Sequence, residues 1–319
     1  MAEEVWMLQT KKADFKQIGA RFQIDPVTAR IIRNRGIEGE AAIDRYLNGT
    51  LDDLYDPMLL KDMERAVSIL CEAVDTGKKI RIVGDYDIDG VCSTYILLQA
   101  FERLGSDVDF EIPDRIKDGY GINESIIEQA HADGVEVILT CDNGISAFHQ
   151  VELAKKYGMT VVITDHHEVP LDGEKEKIPP ADAVIDPKQA DCPYPFPEIC
   201  GAVVAYKLVQ VLYARRGVPQ MEWLDLLEFA AIATVGDVMK LQDENRILVK
   251  YGLKKMAQTK NLGLRRLAEK NNLDLGAITA YHIGFVIGPC LNAGGRKEAS
   301  EASVAVLLLL YLLSAATAL

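Results

Sequence analysis

The stretch Lys79–Gly90 reads KIRIVGDYDIDG, and the rest of the chain is best understood outward from it. Its first five residues have the apolar, β-branched character of a buried strand. Its last seven place Asp85, Asp87 and Asp89 at alternate positions directly after that strand. Like charges this close destabilise one another unless a cation sits among them. A cation there would need further acidic or imidazole groups converging on the same place.

Short apolar runs recur downstream: VDFEIP from Val108, VEVILT from Val135, TVVIT from Thr160 and ADAVID from Ala181. Amphipathic stretches separate them, and the spacing predicts helices over Ser93–Leu104, Asn123–Ala132 and Ala147–Tyr157. Upstream, Lys61–Thr76 carries Met63, Ala66, Val67, Ile69, Leu70, Ala73 and Val74 on one broad helical stripe, and Gly77 ends it. This βαβ rhythm predicts an α/β fold with a parallel five-stranded sheet flanked by helices. Beyond Pro197 the pattern becomes helical, through GAVVAYKLVQVLYARRG, WLDLLEFAAIATVGDV and LVKYGLKKMAQ. The expected organisation is an N-terminal helical region over 1–60, an α/β core over 61–197, a helical portion completing that lobe over 198–287, and a linker motif with the start of a further helix over 288–319.

Composition narrows the classes of function. At 319 residues and 49% hydrophobic content the chain can bury a large core. The start MAEEVWMLQTKKADF is charged early and lacks the apolar segment of a secretory signal, so a cytoplasmic protein is expected. Six cysteines (Cys71, Cys92, Cys141, Cys192, Cys200, Cys290) contain no C-x-x-C pair, which argues against a zinc ribbon or a disulfide framework. A net charge of −13 excludes a broad basic surface, so nucleic-acid binding would need a local groove or a partner segment. The uncharged tail ASVAVLLLLYLLSAATAL (Ala302–Leu319) has the length of a membrane span. It lacks closely flanking Lys or Arg and an aromatic belt, so a buried helix is expected instead.

Ligands of open parallel sheets bind at the carboxyl ends of the strands. There the sequence places Asp85, Asp87 and Asp89, then Asp142 in CDNG, then Asp165, His166 and His167 in DHH, then Asp186. Asp237, in ATVGDV, follows an apolar helical run and could fold back over the same edge. Each has an ordinary explanation in isolation. CDNG has the composition of a turn, Asp165 of a cap, paired histidines of a surface, and Asp237 of an N-cap before VMKLQ. Asp186, followed by Pro187, reads as a turn and is left out of the ligand set. Four such coincidences at equivalent strand ends favour a metal site. Carboxylates with one or two imidazoles and no thiolate suit Mn²⁺ or Mg²⁺. The number of carboxylates implies two ions, about 4 Å apart in sites that activate water against phosphorus.

Six segments in order, GDYDIDG, CDNGIS, TDHHE, ATVGDVMKL, ENRILVKYGL and GPCLNAGGR, resemble those of the DHH phosphoesterases, and specifically of the RecJ-type single-strand DNA exonucleases. PDRIKDGYGIN and DPKQADCPYPFPEICGAVVAYKL look like the same branch. The resemblance implies Asp87 and Asp89 as metal ligands with Asp85 beside them, Asp142 as the ligand bridging two ions, His166 on one ion and Asp237 completing the sphere. His167 would lie nearer the scissile phosphate as electrostatic stabiliser or acid, and Asp165 would orient the histidine pair. Asn292, Gly295 and Arg296 of the glycine-rich segment, with Arg115 and Lys117 upstream, would contact substrate phosphate. Cys290 stands where the family often has Arg.

The resemblance implies a metal-dependent exonuclease acting on single-stranded DNA from the 5′ end and releasing 5′-mononucleotides, in DNA repair and recombination. It also implies a second α/β lobe and an OB-fold module beyond Leu319, so the chain is expected to be the catalytic lobe with the missing lobe as its partner. The alternatives are a phosphodiesterase of short oligonucleotides or cyclic dinucleotides, and a non-catalytic scaffold of the Cdc45 kind. The presence of every expected ligand speaks against the last.

Overall fold

The apolar runs form the strands of an open sheet, in which the central runs are buried on both faces and Val108–Glu111, at one edge, is half-buried. The structure, a computed structural model, describes residues 11–113 and 121–294. It has β1 (Ile80–Val83), β2 (Val108–Glu111), β3 (Val137–Cys141), β4 (Thr160–Thr164), a small antiparallel hairpin of β5 (Leu171–Asp172) and β6 (Lys175–Glu176), and β7 (Ala183–Ile185). Five of them make one parallel sheet in the order β2-β1-β3-β4-β7. The fold class is therefore α/β, as the alternation of apolar runs and amphipathic stretches predicts. The exposed hairpin has no counterpart in that reading: two-residue strands are too short for any periodicity.

The chain divides into two compact units, Met1–Leu54 and Tyr55–Leu319. In the first, α1 (Phe15–Phe22), α2 (Pro26–Asn34) and α3 (Glu40–Asn48) enclose Ile32, Ile37, Ile43 and Tyr46. Asp14 and Asp25 cap α1 and α2 by accepting first-turn amides.

The second unit holds the sheet. Its helices are α4 (Met63–Thr76), α5 (Ile88–Arg103), α6 (Glu124–Ala132), α7 (Phe148–Lys156), α8 (Gly201–Arg215), α9 (Gln220–Leu224), α10 (Leu227–Gly236), α11 (Asp243–Met256), α12 (Leu262–Lys270), the short α13 (Ala280–His282) and α14 (Gly288–Gly294). Helices α6 and α7 cover one face, packing Ile127, Ala130, Val151 and Ala154 on Val83, Ile138, Val161 and Ile163. The opposite face carries α5 and α8, with α10 packed against both. Arg81, on β1, is buried yet fully engaged: its guanidinium donates to Asp109 at 2.7 and 2.9 Å and to Asp133 at 2.9 Å. Among the described residues no helix is long and apolar enough to cross a membrane. The apolar tail Ala302–Leu319 lies outside the described residues.

Two helix boundaries differ from the periodic reading. Helix α5 starts at Ile88 instead of Ser93, because Asp87 accepts the amides of Asp89 and Gly90 at 2.9 and 3.0 Å and so opens the helix within the aspartate run itself. The segment WLDLLEFAAIATVGDV is two helices, interrupted at Asp225 and Leu226. Periodicity marks where a helix buries its stripe; a capping side chain marks where it begins.

The strand order reverses direction between β1 and β3, since β1 connects outward to β2 through α5 and the chain then returns to β3. That crevice is where open α/β sheets bind ligands. Both GDYDIDG and CDNG end in it.

Candidate metal centre

Three strand ends and two helices converge on the crevice. Asp85 leaves β1, Asp87 and Asp89 form the start of α5, Asp142 ends β3, Asp165 and His166 end β4, and Asp237 is the residue at which α10 stops. Asp237 is thus a helix C-terminus, not the N-cap of a following helix: residues 239–242 are irregular and α11 begins only at Asp243. Asp85, Asp89, Asp142, Asp165 and His166 are all buried.

Donor atoms fall into three clusters, each within 4.8 Å: Asp142 with His166 and His167; Asp89 with His166 and Asp237; and Asp85 with Asp87 and Asp142. Asp142 belongs to two of them. Nε2 of His166 lies 3.0 Å from Asp142 Oδ1, 3.3 Å from Asp89 Oδ2 and 3.9 Å from Asp237 Oδ2. Asp142 reaches this position through a left-handed backbone, φ +60°, which Asp and Asn tolerate better than other L residues. Asn143 fastens that turn, its Nδ2 donating to the carbonyls of Val83 and Cys141 at 3.0 and 2.9 Å.

Asp165 is turned away from this cluster and organises the imidazoles. Its Oδ2 accepts the Ile145 amide at 2.9 Å; its Oδ1 accepts the amides of His166 and His167 and lies 2.7 Å from His167 Nδ1. Burial alone would raise the Asp165 carboxyl, but the bond to His167 and these amides outweigh it and hold it below the ordinary range. An ionised Asp165 fixes a proton on His167 Nδ1. Burial opposes the charge of His167 too, yet Asp165, Asp89 and Asp237 hold its pKa above the usual value. His166, whose burial dominates, is shifted down. Adjacent histidines therefore have opposite character.

The carboxylates facing the crevice are displaced upward. Burial, then Asp89 and Asp87, pushes Asp142 well above its ordinary range. Asp87 is raised by burial and then by Asp89. Asp85 is raised to about 7 by burial and Asp87, and Asp237 to about 7 by burial, Asp89 and Asp87. Oδ1 of Asp85 is buried without a hydrogen-bond partner. Crowded carboxylates, an orphaned buried oxygen and one imidazole aimed at them fit a hard divalent cation. Thiolate chemistry does not enter: Cys141, the nearby buried thiol, is pushed to about 12 by burial.

Folded-state pKa values above the unfolded ones mean that the native site binds extra protons, so its contribution is full below about pH 4 and is lost as pH rises through 7. In EDTA the melting temperature should fall between about pH 6 and about pH 8, and saturating Mn²⁺ should cancel that fall. A flat profile in EDTA would show that the carboxylates are not crowded as described.

Two features were not legible beforehand. Asp89 caps α8: its Oδ2 accepts the Gly201 amide at 2.7 Å and its Oδ1 the Ala202 amide at 2.8 Å. A Cβ at Gly201 would lie 2.8 Å from Asp142 Cβ and 3.0 Å from its Cα, so only glycine fits there. Asp186, which its proline neighbour marks as a turn, does accept the Lys188 amide at 2.8 Å, but it is fully buried and its Oδ2 has no partner. Asn292 is half-buried, with Oδ1 also unpartnered. Arg115, Lys117, Gly295 and Arg296 lie outside the described residues.

A parallel sheet with an Asp-rich turn after β1, Asp-Asn after β3 and Asp-His-His after β4 defines a class of protein by the residues at its edge. The chain belongs to the DHH family, whose N-terminal domain model matches residues 79–234. The single-stranded-DNA-specific exonuclease RecJ of Bacillus subtilis (strain 168) is 37% identical over 304 residues, 95% of this chain and 37% of that protein. RecJ of Escherichia coli (strain K12) is 35% identical over 297 residues, 90% of this chain and 50% of that protein. The crystal structure of RecJ in complex with Mn²⁺ from Thermus thermophilus matches with a TM-score of 0.75 at 30% identity, over 92% of this chain and 40% of that one. The chain thus spans half or less of the length of these relatives.

Proposed function

We propose that this chain is the catalytic lobe of a divalent-metal-dependent exonuclease that hydrolyses single-stranded DNA from the 5′ end to 5′-mononucleotides, with Mn²⁺ or Mg²⁺ as cofactor. The observation that carries the reading is Asp142, shared by two donor clusters at the switch point of the sheet. Similarity to relatives named as single-stranded-DNA-specific exonucleases supports the substrate; the polarity follows from that resemblance.

Asp85, Asp87, Asp89, Asp142, His166 and Asp237 would hold the metal. Bound ions would lower the pKa of water to a useful range and offset charge on a phosphodiester in its transition state. The protein's own part is placement. Asp89 is locked by two amides, Asp142 by its turn, and His166 by packing, so little reorganisation accompanies the reaction. His167 is half-exposed, and its Nδ1 holds a proton against Asp165, leaving Nε2 as its other donor atom. It suits a group that steadies phosphate charge or delivers a proton to the leaving oxygen.

The two histidines should separate in mutants. His167→Ala should lower turnover by about 10²-fold or more, a larger loss than its effect on Mn²⁺ affinity. His166→Ala should weaken both. Equal loss of metal in the two variants, by calorimetric titration, would refute the division of roles. The function itself is tested with 5′- and 3′-labelled single strands and, separately, dinucleotides in Mn²⁺. Stepwise release of mononucleotides from the 5′ end is expected; cleavage of dinucleotides alone would indicate a short-oligonucleotide phosphodiesterase.

A further inference from the structure

The helical segment that leads into the GPCLNAGGR motif has two unlike sides. Ile283, Ile287 and Leu291 are buried. A Cβ built at Gly284 would lie 3.9 Å from Val235, and one at Gly288 3.3 Å from Ile88. Val235 is two residues from Asp237, and Ile88 stands between Asp87 and Asp89. The inner side of this segment therefore rests directly on the elements that carry three of the carboxylates.

The outer side shows Tyr281, 64% exposed, and Phe285, 70% exposed, with rings stacked at 4.8 Å and 29°. Exposed Pro289 continues the row four residues further on. Pro289 has no N–H to return to the Phe285 carbonyl, and the turn ahead of it, Ile283–Ile287, is widened to a π-helix. The capping box of Thr279 with His282 starts the segment. Val238, beside Asp237, is 87% exposed and held at φ +58°, a strained conformation for a β-branched residue. Large apolar side chains are thus displayed one helix away from the acid cluster of a strongly acidic chain.

We propose that Tyr281 and Phe285 form a platform on which unpaired bases of the substrate strand stack as it passes the metal centre. The inference rests on the nuclease reading and specifies how the strand is held. Aromatic faces take any base, need no positive charge and discriminate against duplex, whose bases are already stacked. This suits a chain of net charge −13, in which phosphate neutralisation by Lys and Arg is scarce. Bases on Tyr281 and Phe285 would place the sugar-phosphate chain along the segment toward Asn292, whose side-chain amide has an unpartnered end.

The test compares wild type with a Tyr281→Ala/Phe285→Ala double variant. Both rings are exposed, so the fold should hold. Binding of an oligo(dT) strand of about twelve nucleotides in EDTA should weaken about tenfold or more in the variant. Wild type should bind a strand of abasic residues as weakly as the variant binds oligo(dT). Hydrolysis of a dinucleotide in Mn²⁺ should be unchanged, since so short a substrate does not reach the platform. A Phe285→Trp variant should show indole fluorescence quenched by oligo(dT) and not by the abasic strand. Undiminished oligo(dT) binding by the double variant, or full binding of abasic strand by wild type, would overturn the platform. So would a change from dimer to monomer on sedimentation of the double variant, which would make the face a contact between copies. If wild type does not release mononucleotides from single strands, the nuclease reading itself fails; if strands are cleaved and only the platform is inert, that reading stands and this inference falls.

Discussion

Asp142→Asn is expected to leave almost no hydrolysis. Asp142 is the one carboxylate common to two donor clusters, and it lies 3.0 Å from His166 Nε2. Removing its charge while keeping its shape would take from both clusters the carboxylate they share and so weaken the hold on metal, a loss of several kcal/mol of transition-state stabilisation. Asparagine is also the substitution the backbone accepts best, because the position has φ +60°. The fold should therefore survive. In EDTA the variant should melt no lower than wild type, since a buried carboxyl crowded by Asp87 and Asp89 has been neutralised. Calorimetry with Mn²⁺ should lose at least one binding event. More than about a tenth of the wild-type rate, against the several kcal/mol such a ligand supplies, would show that another group bridges.

Gly201→Ala should be nearly as damaging, although Gly201 offers no ligand atom. The new methyl would meet Asp142 at 2.8 to 3.0 Å, contacts that real Cβ atoms do not make. Either Asp142 moves off its position or α8 withdraws, and withdrawal breaks the bonds from Gly201 and Ala202 to Asp89. Both routes disturb a carboxylate that the proposed function places on the metal. Overpacking alone costs roughly 1–3 kcal/mol of stability, which a folded domain usually tolerates. Metal affinity should fall about tenfold or more in a protein that still melts cooperatively, and activity should fall with it. Wild-type Mn²⁺ affinity in Gly201→Ala would mean that the helix end is not braced against the site.

The sequence disclosed the strands and the groups at their ends because both are local patterns. KIRIV and VEVILT are legible as apolar runs, and the aspartates and histidines follow within a few residues. Other features are set by contacts between distant segments. Gly201 looks like any glycine before a helix until Asp142 is found against it. Asp89 reads as a ligand and nothing more, because its capping of α8 joins residues 112 and 113 positions apart. Asp186 forms the turn its proline neighbour marks and stands outside the donor clusters, but its burial, set by tertiary packing, could not be read from that neighbour. The early start of α5 was hidden because the Asp87 cap lies inside the aspartate run, ahead of the periodic stretch that marks the helix.

The clasp between Asp89 and α8 also bears on how the molecule comes into being. A ribosome would have finished every strand of the sheet before the two amides that restrain Asp89 were synthesised, so the nascent sheet carries a crowded acidic edge with no counterweight. Closing a loop of more than a hundred residues has a modest entropic cost but is slow to nucleate. The clasp on Asp89 thus closes only after the strands have been made. A shorter chain ending at β7 would keep the strands and most of the carboxylates, yet would lack the helix end that turns a collection of acids into a defined cradle.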